Sequence, residues 1–308
     1  DFTEYIYPAT MHQTMLFFTR KGRCYWLKCY EIPEGDKNFK GRAIQNMLNI
    51  EPDDSVNAML RLRGLNDEEF VNSHYVVFAT KNGTIKKTCL EAYSRPRTNG
   101  VNAINIVEGD EVVDVRLTNG KNEIILANRN GRAVRFDENT VRSMGRVSTG
   151  VRGMQLDGDD DQVVGMIIVN NAETETVMVV SENGYGKRSQ VEDYRKTNRG
   201  GKGVKTFSIT DKTGRLVAIK NVTDDNDLMI INKSGIAIRL AVSDCRVMGR
   251  ATQGVRLINL WKKNNVIACV CKVMSSELEA KLADDNSATE PEATEATEAK
   301  ETNPENEK

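Results

Sequence analysis

Val177-Met178-Val179-Val180-Ser181-Glu182-Asn183-Gly184-Tyr185-Gly186-Lys187-Arg188 is the stretch from which the fold of this chain is read. An unbroken apolar run of strand-forming residues meets an Asn-Gly dipeptide and continues as a basic strand. Asn-Gly between β-rich runs is a strong hairpin signal, because a type I′ turn needs φ > 0 at both central residues. The pattern recurs, with or without the Asn, at Leu16–Arg23, Val76–Gly83, Ile124–Gly131 and Leu228–Gly235. Successive turn glycines (Gly22, Gly83, Gly131, Gly184, Gly235) are 61, 48, 53 and 51 residues apart. A basic strand follows in the later units: Thr84-Ile85-Lys86-Lys87, Arg132-Ala133-Val134-Arg135 and Ile236-Ala237-Ile238-Arg239.

Working outward, a second glycine follows in every unit: Gly41, Gly100, Gly150, Gly203 and Gly254. Its offset from the turn glycine is 19 in four units and 17 in the second. Small basic clusters surround it, as in Gly150-Val151-Arg152-Gly153 and Gly254-Val255-Arg256. A polar turn feeding a strand closes the unit, as in Glu108-Gly109-Asp110-Glu111-Val112-Val113 and Asp159-Asp160-Asp161-Gln162-Val163-Val164. Asp1–Ile6 fit this third element alone, so the chain is expected to start in the middle of a unit. Repeats of about 50 residues with four short strands each predict propeller-type blades. No sustained 3.6-residue periodicity interrupts them, so almost no helix is expected. Residues 1–274 then make one domain. From 275 to 308 the composition turns to Glu, Ala, Thr, Asn and Pro, which predicts a disordered acidic tail.

The charge divides the same way. The 308 residues carry 43 Lys+Arg and 44 Asp+Glu, a formal net charge of -1. Residues 275–308 hold eleven acids and three bases, or -8, which leaves +7 on residues 1–274. A basic body beside an acidic tail points to nucleic acid or an acidic surface, and the tail is read either as a competitor for the body's basic band or as a plain solubilising segment. No apolar run reaches the roughly 18 residues of a membrane span, and Asp1–Pro8 lack the basic start of a secretory signal. The six cysteines form no C-x-x-C pair, and Cys269 and Cys271 are read as core residues of one strand face in a reduced cytoplasm.

Catalytic constellations are scarce. His12 and His74 precede predicted strands and are read as surface residues, and Asp157–Asp161 is read as a solvated turn instead of a calcium loop. No catalytic residue and no metal ligand is expected. Positive charge at fixed offsets, in contrast, gathers into a band on a repeated blade, the footprint of phosphate-backbone binding. Its sharpest instance is Arg195-Lys196-Thr197-Asn198-Arg199-Gly200-Gly201-Lys202-Gly203, where glycine lets the backbone approach an anion.

These residues also carry a family resemblance. Asn183-Gly184-Tyr185-Gly186-Lys187-Arg188, Tyr30-Glu31-Ile32-Pro33-Glu34 and Ser143-Met144-Gly145-Arg146 with Thr149-Gly150-Val151-Arg152-Gly153 are similar to signature segments of the C-terminal domain of DNA gyrase A, the DNA-cleaving polypeptide of a type IIA topoisomerase. The resemblance runs through residues 1–274. It implies an all-β, six-bladed β-pinwheel, a propeller-like disc with strands exchanged between blades, here with five complete repeats and part of the first blade. It implies double-stranded DNA wrapped on the basic rim, in support of ATP-dependent negative supercoiling by an A2B2 enzyme formed with DNA gyrase B, in a bacterial cytoplasm and nucleoid. ATP, Mg2+ and the DNA-cleaving tyrosine would belong to other domains, with no cofactor in this chain. The family's hallmark box, Gln-Arg-Arg-Gly-Gly-Lys-Gly, sits in the first blade and is absent here. Thr197–Gly203 matches its last five residues only, in a late blade.

Phosphate contacts are accordingly assigned to Arg42, Arg97, Arg146, Arg152, Arg199, Lys202, Arg250 and Arg256. Lys86, Lys87, Arg135, Lys187, Arg188 and Arg239 form a second row. Lys40, Arg95, Arg142, Arg195, Lys196, Lys205 and Arg246 extend the band, and Gly200, Gly201 and Gly203 shape its loop. The alternatives are the corresponding C-terminal domain of topoisomerase IV and a propeller used as a protein-interaction scaffold.

Overall fold

The computed structural model describes residues 4–36, 38–260 and 265–276. The expected disordered tail lies outside them from residue 277 onward. The strands fall into units in chain order. The first unit gives β1 (Thr14–Thr19), β2 (Arg23–Lys28) and β3 (Val56–Leu62), and the second β4 (Tyr75–Thr80), β5 (Thr84–Cys89), β6 (Val101–Asn102) and β7 (Val112–Thr118). The third gives β8 (Glu123–Asn128), β9 (Arg132–Asp137), β10 (Val151–Arg152) and β11 (Val163–Val169), and the fourth β12 (Thr176–Ser181), β13 (Tyr185–Gln190), β14 (Val204–Lys205) and β15 (Leu216–Val222). The fifth gives β16 (Asn226–Asn232), β17 (Ala237–Ala241), β18 (Val255–Arg256) and β19 (Ile267–Met274). The single α-helix among the described residues, α1 (Glu68–Ser73), is capped by Asp67, whose side chain accepts from the Phe70 amide.

Five antiparallel sheets result, in the orders β3-β1-β2-β6, β10-β5-β4-β7, β11-β8-β9-β14, β15-β12-β13-β18 and β17-β16-β19. The apolar runs of the inner units are continuous because both faces of their central strands are covered by neighbouring sheets, whereas Met15 and Phe17 of β1 pack on Tyr25, Leu27, Leu48 and Ile50 of their own unit. Val177 and Val179 of β12 share a core with Ile125 and Ala127 of β8, while Met178 and Val180 share one with Leu228 and Ile230 of β16. Phe18 and Phe78 meet edge to face between the first two sheets, with centroids 5.3 Å apart.

The hairpins differ from the two-residue type I′ turns expected from Asn-Gly. The loop has three residues in the first four units and four in the fifth: the Gly83 amide, for example, donates to the Thr80 carbonyl at 3.0 Å, and the glycine sits at φ +91°. This is a turn closed by a left-handed residue, so the glycine carries the constraint and the Asn before it is optional. A buried side chain three residues before the glycine then accepts from the amide after it. Thr19, Thr80, Asn128, Ser181 and Asn232 do this for Arg23, Thr84, Arg132, Tyr185 and Ile236. The contact satisfies a buried donor, and the alternation of Thr, Asn and Ser hid it in the sequence.

The two-residue strands β6, β10, β14 and β18 each belong to the sheet of the preceding unit, so consecutive units are sewn together. Each pairs with the two residues after the turn glycine; Val151 and Arg152, for example, pair with Ile85 and Thr84. Only the fifth sheet has no such strand among the described residues, and the corresponding Ile236 and Ala237 are exposed. Arg42 and Ala43, at the matching place in the first unit, are exposed outside any sheet. On the opposite edge of the sheets, β3, β7, β11, β15 and β19 pack in succession. Residues 4–8 reach both ends of that row: Tyr5 Oη donates to the Asn57 carbonyl at 3.0 Å, Arg61 donates to the Pro8 carbonyl, and Cys269 Sγ donates to the Glu4 carbonyl.

Candidate nucleic-acid interface

Between the basic hairpin strand and the exchanged strand, each later unit sends out one loop, and the structure fixes its place by backbone bonds. The amides of Met144, Thr197 and Met248 donate to the carbonyls of Lys87, Arg135 and Arg188 in the preceding sheet, at 2.8–2.9 Å. Exchanged strands hold the far ends. The segments just past the exchanged strands tie each loop to the next at constant offsets: the amides of Asn105, Gln155 and Ser208 donate to the carbonyls of Ser148, Gly201 and Thr252 in the following loop. The loops therefore form one contiguous edge.

Cations occupy matching places on that edge. Eight residues before the second glycine stand Arg142, Arg195 and Arg246, and two residues after it stand Arg152, Lys205 and Arg256; all six are exposed. Lys40, Arg42, Arg95, Arg97, Lys196 and Lys202 are exposed too, in the first, second and fourth units. Lys202 lies 3.1 Å from Asp157, Lys196 lies 3.2 Å from Glu123, and Arg95 lies 3.8 Å from Glu91. Such surface pairs are weak enough for a phosphate to replace the carboxylate. A groove of about 490 Å³ is lined by Arg195, Thr197, Asn198, Arg199 and Gly200–Gly203. Among the described residues no backbone acceptor takes the amide of Gly201 or Lys202, so both can donate to an anion.

Arg146, Arg199 and Arg250, four residues before the second glycine, are half-buried staples. Their guanidinium groups donate to the carbonyls of Asn102, Arg152 and Lys205, each in the exchanged strand before. Arg199 also donates to the Thr140 carbonyl at 2.9 Å.

The second row requires correction. Lys86, Lys87, Arg135, Lys187 and Arg188 are buried, at 0–6 % exposure, and none presents its charge to solvent. Their heads fasten one unit to the next. Lys86 donates to the carbonyls of Ala103 and Arg146, and Lys187 to those of Gly249 and Arg250. Arg135 pairs with Glu123 at 2.5 Å and Glu192 at 3.3 Å, and bonds the carbonyls of Val191 and Tyr194. Arg188 pairs with Asp224 at 2.7 Å, and Lys87 lies 3.7 Å from Glu138 and over the Tyr75 ring. Arg239 is partly exposed and pairs with Asp227 at 2.7 Å. The physical reason is that a sheet covered on both faces buries the middle of its second strand on either side, and long cationic side chains survive there by bonding carbonyls and carboxylates.

Burial, reinforced by the Arg146 cation, brings the Lys86 ammonium down to about 7; burial and Arg250 bring Lys187 down to about 8. An unfolded lysine keeps its proton to about 10.4. Above the folded values the unfolded chain binds more protons, so this contribution to stability grows as pH rises and is lost as pH falls through about 7 or 8. Wild type should therefore gain stability on Lys86→Met between pH of about 6 and 9 in urea denaturation. Parallel pH profiles would exclude the effect.

Other expectations resolve plainly. The Asp157–Asp161 run is a turn: Asp161 accepts from Asn128 and the Asp157 amide, and Asp160 pairs with Arg215 at 2.5 Å. His74 lies 3.0 Å from the Phe70 carbonyl at the end of α1. No group of three or more His, Cys, Asp or Glu that could hold a metal ion occurs among the described residues. No helix among them is long and apolar enough to cross a membrane.

The family model for the DNA gyrase C-terminal domain, beta-propeller, matches residues 13–63, 74–119, 122–170, 175–223 and 226–269. The chain belongs to this family. It is 42% identical over 273 residues to the DNA gyrase A polypeptide of Staphylococcus aureus strain MRSA252, and equally so to that of strain NCTC 8325. The match covers 89% of this chain and 30% of the relative, so the chain spans under a third of the length of these curated relatives. Among solved structures, a DNA gyrase A C-terminal domain superposes with a TM-score of 0.74 at 23% identity, covering 86% of this chain and 84% of that one. The C-terminal domain of a DNA topoisomerase IV gives 0.76 at 26% identity, covering 89% and 84%. The matched segments coincide with the five repeat units.

Proposed function

We propose that this gyrase C-terminal domain binds duplex DNA without sequence preference and wraps it along the edge built from its loops. The observation that carries the reading is the recurrence of exposed Arg142, Arg195 and Arg246 on the loops, and of Arg152, Lys205 and Arg256 on the exchanged strands that follow them. Equal charges at equal places on consecutive sheets give a track with a regular step, which suits a phosphate backbone and no particular base. The half-buried arginine staples hold that track rigid. Lys40, Arg42, Arg95 and Arg97 prolong it toward the first unit, and the groove at Gly200–Gly203 is its closest backbone approach.

Within the whole enzyme, wrapping would present a chirally wrapped segment for strand passage and so support negative supercoiling. ATP and Mg2+ would act through other domains and through DNA gyrase B, in the bacterial cytoplasm and on the nucleoid. Among the described residues no exchanged strand covers Ile236 and Ala237, and Arg42 and Ala43 join no sheet, which supports the sixth blade that the family resemblance implies. Residues 4–8, which touch both β3 and β19, would be its innermost part.

Topoisomerase IV is the second reading, because the two solved domains superpose almost equally well; the identity to gyrase A polypeptides favours gyrase. The deciding test is a topology assay with the domain, a DNA circle and a sealing topoisomerase. Wrapping leaves positive superhelical turns, and a protein-interaction scaffold leaves none. With on the order of six phosphates neutralised, the log–log salt dependence of DNA affinity should have a slope of about -5. A salt-independent affinity would overturn the proposal.

A further inference from the structure

We propose that Cys269 and Cys271 form a peroxide-oxidisable dithiol where residues 4–8 meet the fifth sheet, with Cys271 as the attacking thiolate and Cys269 as the resolving thiol. Alternate residues of a strand point to one side, and here the two sulfurs lie 3.2 Å apart. Two residues of extended chain separate Cα atoms by about 6.6 Å, inside the limit of about 7 Å for a disulfide. β19 is an edge strand of its sheet, with a register irregularity between Ile231 and Asn232 on its partner. The sulfurs can therefore close without tearing a two-sided ladder.

The surroundings favour a thiolate at one sulfur. The Cys269 thiol beside it, the Ile6 amide as a donor and the Lys220 ammonium of β15 all act to lower the Cys271 thiol, against the opposing effect of burial. Cys269 is held protonated by the neighbouring Cys271 sulfur and by burial, its one proton lying between that sulfur and the Glu4 carbonyl. Lys220 has no hydrogen-bond acceptor among the described residues, so the thiolate is its closest compensation apart from Asp114, while Arg116 opposes it. Glu4, Tyr5 and Tyr7 complete the ring of titratable groups, and both phenols are pushed up by burial. Elsewhere burial alone acts against reactivity: it raises the thiols of Cys24 and Cys245.

The chemistry balances with hydrogen peroxide as the oxidant. The Cys271 thiolate attacks one peroxide oxygen, the O–O bond breaks, and Cys271 becomes a sulfenic acid as hydroxide departs and is protonated to water. Cys269 sulfur then attacks the Cys271 sulfur, the S–O bond breaks, and the released hydroxide takes the Cys269 proton as a second water. Two thiols lose two electrons and peroxide gains them. The proton that Cys269 shares with the Glu4 carbonyl is lost, so oxidation releases one tie of residues 4–8 to β19.

The test treats the full chain with hydrogen peroxide and maps all six cysteines by differential alkylation and peptide mass spectrometry. A Cys269–Cys271 disulfide, reversed by dithiothreitol, should form before Cys29 or Cys89 is oxidised. Cys269→Ser should stop at a Cys271 sulfenic acid captured by dimedone, whereas Cys271→Ser should leave Cys269 reduced at the same dose. Circular dichroism checks that both serine variants keep their β content. Cys271 alkylation should set in below the pH range of an ordinary thiol in wild type and at a higher pH in Lys220→Met. The proposal fails if Cys269 and Cys271 stay reduced while Cys29 and Cys89 oxidise, or if Cys271→Ser leaves Cys269 oxidation unchanged.

Discussion

Gly203→Ala should destabilise the domain by about 3 kcal/mol or more, measured by urea denaturation. The glycine holds φ +75°, and a Cβ there would collide with the Ala133 carbonyl of the preceding sheet. Left-handed backbone at a residue with a Cβ costs about 1–2 kcal/mol before any clash. Relief of the clash would push β14 off β9 and so open the seam between the third and fourth units. DNA affinity should fall with it, because the same loop frames the basic groove. Gly201→Ala is the control: its φ is not in the left-handed region and a Cβ would meet only the Gly203 amide nitrogen, at an ordinary 4.0 Å. That variant should stay within about 0.5 kcal/mol of wild type. Equal stabilities for the two variants would refute the assignment of Gly203 as the close-approach residue.

Arg135→Ala should cost about 3 kcal/mol, while Arg142→Ala, on the exposed edge, should cost under about 0.5 kcal/mol. Arg135 is 6 % exposed and holds Glu123 and Glu192 as well as two carbonyls of the following unit. Its removal takes the guanidinium from both carbonyls: the Val191 carbonyl keeps the Tyr194 amide as a donor, the Tyr194 carbonyl keeps none among the described residues, and Lys196 still compensates Glu123. The DNA affinity of Arg135→Ala, measured where the variant remains folded, should stay near wild type; Arg142→Ala should weaken binding modestly and flatten the salt dependence by about one unit. If Arg135→Ala lost DNA affinity while keeping its stability, the buried row would have to be returned to the interface.

The repeat was legible because its constraints are local: an apolar run, a glycine at a left-handed turn and a second glycine about 19 residues later. The five antiparallel sheets follow from those marks. The two rows of cations were not separable in the same way, since Arg135 and Arg142 carry the same charge within one basic stretch. What divides them is the second face of the sheet, which buries Arg135 and is created only when the next unit docks. Side-chain acceptors such as Thr80 and Asn128 were hidden for another reason: three residue types perform one hydrogen-bonding task. The Sγ contact of Cys269 and Cys271 followed from strand alternation, but the approach of Lys220 and Glu4 depends on residues far away in sequence.

The exchanged strands have a consequence for synthesis. A unit emerging from the ribosome shows an unpaired edge at its hairpin until the first two dozen or so residues beyond the next turn glycine have followed. Each sheet is finished by its successor, so a nascent chain carries its incomplete sheet along its leading end, one unit behind translation. A cut inside any unit therefore harms two of them: the one it interrupts and the intact one before it, which loses its fourth strand. Deletions should be tolerated only in steps that restore a donor for every remaining hairpin. The same rule sets which lengths of this repeat can be exchanged between relatives without leaving a sheet edge bare.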